Sequence, residues 1–87
     1  MSSIEDAKAH IAAGSEAVNE AQRALASANE ALVQAVAVFA DAVAGSKHEK
    51  VDEASKAYGA ATHSFGQANQ KLSTCRNSAN TYAEGLG

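Results

Sequence analysis

Four side chains of this 87-residue chain are the ones whose chemistry could be put to use: His10, His48, His63 and Cys75. A metal centre needs three or four converging ligands, often with two of them four residues apart on one helix face. His48 and Asp52 meet that spacing, but nothing nearby supplies a third ligand. The pair reads instead as a solvated helix start, where Asp52 and Glu53 suit the positive end of the helix dipole. A lone Cys75 cannot form an intrachain disulfide, and its position reads as a small apolar side chain in a helix seam. No Ser/His/Asp arrangement, phosphate-binding glycine loop or CxxC pair occurs. Catalytic, cofactor-binding and metal residues are therefore expected to be absent, and the expected class is non-enzymatic.

The elements that would carry these residues are helices. Seven basic and ten acidic residues give a net charge of −3, so the phosphate-neutralising patch of a nucleic-acid binder is missing. There is no Pro and no Trp, and the alanine content is high. Alanine is the best helix former, and a proline-free chain rich in Ala, Glu, Gln and Lys reads as long helices. The expectation is one all-α domain over residues 1–87. The start MSSIEDAKAH carries acidic residues where a cleaved signal peptide needs a basic and then an apolar region, so a cytoplasmic location is expected.

Every seventh residue from Ile4 is large and apolar: Ile4, Ile11, Val18, Leu25, Leu32 and Phe39. Three residues after each comes a small one: Ala7, Gly14, Ala21, Ala28, Ala35 and Ala42. The second half repeats the pattern from Val51, with Tyr58, Phe65 and Leu72 as large residues and Ala54, Ala61, Ala68, Cys75 and Tyr82 between them. Such a/d heptads predict an Ala-rich coiled-coil seam carried by Leu25, Leu32, Phe39, Tyr58, Phe65 and Leu72.

Ser2 with Glu5, or Ser3 with Asp6, can cap the first helix, and Gly45 suits its end. Ser46-Lys47-His48-Glu49 reads as a capping box for the second. The prediction is an antiparallel two-helix hairpin with helices over about 3–44 and 47–84, turning at Gly45 and Ser46. A register centred between Ser46 and Lys47 sets large against small, as in Leu25–Ala68, Leu32–Ala61, Ala35–Tyr58 and Phe39–Ala54. Ile11 against Tyr82 breaks that rule, and the Asn- and Ser-rich run NQKLSTCRNSANTY predicts loosening after Asn77.

One stretch is more apolar than a single seam requires. Residues 31–44, ALVQAVAVFADAVA, contain two polar side chains, Gln34 and Asp41. A membrane span needs about 20 apolar residues, so no span is expected. The heptads use Leu32, Ala35, Phe39 and Ala42, leaving Val33, Val36, Val38 and Val43 without a partner in the chain. These four valines are the expected partner-binding residues. Residues 24–46 hold no Lys or Arg, which argues against an interfacial membrane helix. Pairing of the chain with itself, as a homodimer or higher oligomer closing a four-helix bundle, or with another hairpin, would cover the valines.

A hairpin of this length with an apolar seam resembles the Trp-x-Gly (ESX-like) proteins of type VII secretion, and also the small toxin-associated hairpins of actinobacteria. The turn reads Val43-Ala44-Gly45: Gly45 matches the family glycine, and Val43 stands where its Trp would be. The Tyr-x-x-x-Asp/Glu export signal is not matched, since Leu86 follows Tyr82 at that spacing. The resemblance implies an adaptor or chaperone that pairs with itself, a sibling hairpin or a toxin, and leaves the cell without a cleaved signal peptide, its partner supplying the signal. The alternative is a structural oligomerisation subunit, as in cytoplasmic or phage assembly, with no part in secretion.

Overall fold

A computed structural model describes residues 3–87, so the Ser2–Glu5 cap lies outside the described residues. Helix α1 spans Ile4–Ala42, and its start is closed by a reciprocal pair of hydrogen bonds. The Asp6 N–H donates to Ser3 Oγ at 3.0 Å, and the Ser3 N–H donates to Asp6 Oδ2 at 3.4 Å. Two otherwise orphaned donors are thereby satisfied. Ala42 ends the helix two residues earlier than expected. Gly45 then turns the chain with φ +80°, a left-handed conformation that favours glycine.

Helix α2 spans Glu49–Glu84 and begins two residues later than the capping-box reading placed it. Its cap is His48, whose Nδ1 accepts from the Lys50 N–H at 3.0 Å. The Ser46 hydroxyl accepts from the His48 N–H within the turn instead. The physical reason is local: His48 is extended at ψ 137°, so Ser46 cannot open a continuous helix. At the other end α2 stays helical to Glu84, beyond the expected loosening at Asn77. The Ser15 hydroxyl donates to Asn80 Oδ1 at 2.8 Å, tying that end across to α1.

The two helices form an antiparallel hairpin, a rod of 65 × 17 × 16 Å. Its radius of gyration is 19.7 Å, against about 12 Å for a compact chain of this length. No described residue is fully buried. The six large residues Leu25, Leu32, Phe39, Tyr58, Phe65 and Leu72 are all half-buried.

Their companions are not the ones expected. Gly14, Ala21, Ala28, Ala35 and Ala42 are exposed, and the half-buried residues beside the large ones are Ser15, Gln22, Asn29 and Val43. Helix α2 keeps Ala54, Ala61 and Ala68 in the seam but brings in Arg76 and Ala83 in place of Cys75 and Tyr82, which are exposed. A helix of 3.6 residues per turn drifts by about 20° per heptad against a strict seven-residue repeat. The facing stripe therefore migrates from the third to the fourth residue after each large one. At the tip, Phe39 and Tyr58 meet ring to ring, centroids 5.2 Å apart and planes tilted 50°. Tilted aromatic pairs are favourable in their own right.

Candidate interaction surface

The four valines are carried by the last turns of α1, and the hairpin divides them between its two sides. Val33, Val36, Ala40 and Val43 succeed one another at spacings of three and four, which places them on one helix face. Val36 is 36 % exposed and Val43 half-buried. With Ser55, Tyr58, Gly59 and Thr62 of α2 these two line a furrow of about 390 Å³. Both therefore border α2, a correction to the expectation that they have no neighbour in the chain. The drift that moves the seam toward Gln22 and Asn29 also moves it toward Val36 and Val43. Val33 and Val38 are the free ones, 55 % and 69 % exposed. Val38 faces the opposite side, beside Ala31, Ala35, Ala42 and the Tyr58 ring.

Toward mid-rod the furrow continues into a second hollow of about 400 Å³, bordered by Gln22, Ala26, Asn29, Thr62, Gly66 and Asn69. Thr62 belongs to both. The floor is apolar, made of Leu25 and Phe65 here and of Phe39 and Tyr58 nearer the tip. A methyl group added at Gly59 or Gly66 would meet no atom within 4 Å. The Oδ1 of Asn29, closed off from solvent, has no hydrogen-bond partner. Such an atom costs about 1–3 kcal/mol.

Comparison with protein-family models, characterised proteins and solved structures finds no match to this chain.

Away from the tip the furrow turns polar, and the residues there hold each other. Arg76 Nη1 donates to Gln22 Oε1 at 2.6 Å and to Asn19 Oδ1 at 2.8 Å. Gln22 Nε2 donates onward to Ser73 Oγ at 2.8 Å and to the Asn69 carbonyl at 3.4 Å. A half-buried guanidinium thus rests on neutral amides, and the ion pair found among the described residues is the exposed Lys50–Glu53 contact. This ladder was the main feature missed from sequence. Its signal was available: Ser15, Gln22 and Asn29 recur every seven residues, opposite the polar series Asn69, Ser73, Arg76 and Asn80.

The residues first considered for chemistry do not gather. His10 and His63 are exposed, and the Nδ1 of His48 is engaged as a cap. No group of three or more His, Cys, Asp or Glu side chains is placed to hold a metal among the described residues. None of the described helices is long and apolar enough to cross a membrane. What the arrangement offers is a ridge and furrow of apolar surface near the tip, whose α1 side carries no Lys or Arg over residues 24–46.

Proposed function

We propose that the chain is a non-enzymatic protein–protein interaction module that docks a helical partner on the apolar surface near its tip. The observation that carries this reading is the exposure of Val33 and Val38 on a stretch of α1 with no Lys or Arg. Val33 extends the Val36, Ala40 and Val43 face beside the furrow, and Val38 stands on the opposite side; exposed apolar surface rimmed by polar residues marks interaction sites. The open furrows also fit a binding role better than a reaction site, which needs an enclosed cleft with converging polar groups.

Within that reading, the hairpin architecture and Gly45 at the turn support an ESX-like adaptor or chaperone of type VII secretion. It would pair with itself, a sibling hairpin or a toxin and leave the cell with that partner. The second reading is a structural oligomerisation subunit that stays in the cytoplasm. The absence of any fully buried residue among the described ones favours it, because a single seam is a thin core for a lone chain. The test is affinity capture from native cells with the unaltered chain and with Val33→Glu/Val38→Glu. Capture of a defined partner, lost in the variant, is expected. Equal capture by both refutes the tip surface. Recovery of the protein from medium, dependent on a secretion ATPase, separates the first reading from the second.

A further inference from the structure

The hairpin exposes 6344 Å², whereas a compact monomer of its mass exposes about 4,800 Å². The excess, about 1,500 Å², is nearly twice the ~800 Å² that each partner gives to a standard interface. One long side of the 65 × 17 Å rod spans about 1,100 Å², enough to meet that requirement in a single face. The furrow side has the shape for it. Val36 and Val43 stand along one rim, and Gly59 and Gly66, one heptad apart on the other, leave open space above the α2 backbone. A helix can approach closely there.

Charge and apolarity select the arrangement. Helix α1 carries six acidic and two basic residues, while α2 carries four of each. Two copies facing each other about an axis across the rod would lay acidic α1 on acidic α1, and the valine-bearing tip of each on the open end of the other, where Lys8, Asn80 and Glu84 border the surface. An axis along the rod lays α1 on the neutral α2 and brings the two valine-bearing tips together. Both considerations favour the second arrangement.

We propose that two copies of this chain dock furrow to furrow, tips at the same end, with α1 of each lying along α2 of the other. The inference rests on the interaction-module reading and names its partner as a second copy.

Sedimentation equilibrium from micromolar to millimolar concentration is expected to give twice the chain mass. Gly59→Leu/Gly66→Leu should return it to one chain mass with helicity kept, because leucine is a better helix former than glycine and the space above both positions is open within the hairpin. Spin labels on Lys47→Cys, in a Cys75→Ser background, should lie roughly 20 Å apart between copies, about two helix diameters. A separation near the rod length of 65 Å overturns the orientation. A dimer that persists in the leucine variant overturns the furrow as the interface. A chain that stays monomeric yet captures a partner through Val33 and Val38 overturns self-pairing alone. A monomer that captures nothing overturns the interaction reading as well.

Discussion

Residues 75 and 76 offer the sharpest test, because the heptad pattern and the folded hairpin exchange their roles. The pattern puts Cys75 in the seam and Arg76 on the polar flank, whereas the hairpin exposes Cys75 and half-buries Arg76. Arg76→Met removes two hydrogen bonds donated by a charged group to Asn19 and Gln22. Fully buried, each such bond contributes about 1.5–3 kcal/mol. At a half-exposed site water replaces much of that, and the methionine stem keeps the apolar contact. The expected loss is therefore about 1–2 kcal/mol, or roughly 5–15 °C in Tm for a chain of this size. Cys75→Ser should change stability by less than about 0.5 kcal/mol, as exposed sites do. Urea unfolding followed by circular dichroism at one fixed protein concentration reads both, since association would otherwise shift the midpoints. In a double-mutant cycle with Gln22→Leu, the combined loss should fall short of the sum by about 0.5–2 kcal/mol. A silent Arg76→Met together with a Cys75→Ser loss above about 1 kcal/mol would refute the migrated seam.

Other consequences are simpler to measure. Gly45→Ala forces a β-carbon into φ +80° and should cost about 1 kcal/mol in a thermal melt; an unchanged Tm would contradict the turn geometry. His48→Ala removes the acceptor for the Lys50 N–H and should cost about 1 kcal/mol, while His48→Asp, a preferred cap, should match or exceed the parent. If Ser46→Ala is the more damaging substitution, the helix starts where the capping-box pattern put it. Asn29→Leu removes an unpartnered acceptor and adds apolar contact, so it should stabilise by about 1 kcal/mol; a lower urea midpoint would show that Oδ1 has a partner after all.

Much of the hairpin was legible beforehand because two independent patterns agree. The spacing of Ile11, Val18, Leu25, Leu32 and Phe39 defines one apolar stripe, and that of Tyr58, Phe65 and Leu72 defines its counterpart. Ser3 with Asp6, and Gly45, mark where the chain must cap and turn. What the heptad frame could not carry was the azimuth of each helix. Position in a seven-residue repeat is a discrete label, whereas the facing direction drifts continuously with helical twist. Over the length of α1 that drift moves the small residues out of the seam and Gln22, Asn29 and Val43 into it. The site was misjudged for the same reason: Val36 and Val43 looked unpartnered only while Ala35 and Ala42 held the seam.

The α2 start shows the same limit on a smaller scale. Ser46 and His48 both have side chains able to cap, and composition alone does not rank them; the extended backbone at His48 does. Local sequence thus determined the element types, the turn and the large seam residues, because these depend on propensity, capping chemistry and the apolar period. The tertiary packing decided which polar residues cross-link the rod, which valines remain free, and where a furrow opens beside Gly59 and Gly66. Those features depend on how two helices rotate against each other, and that rotation is settled by packing contacts between residues distant in the chain.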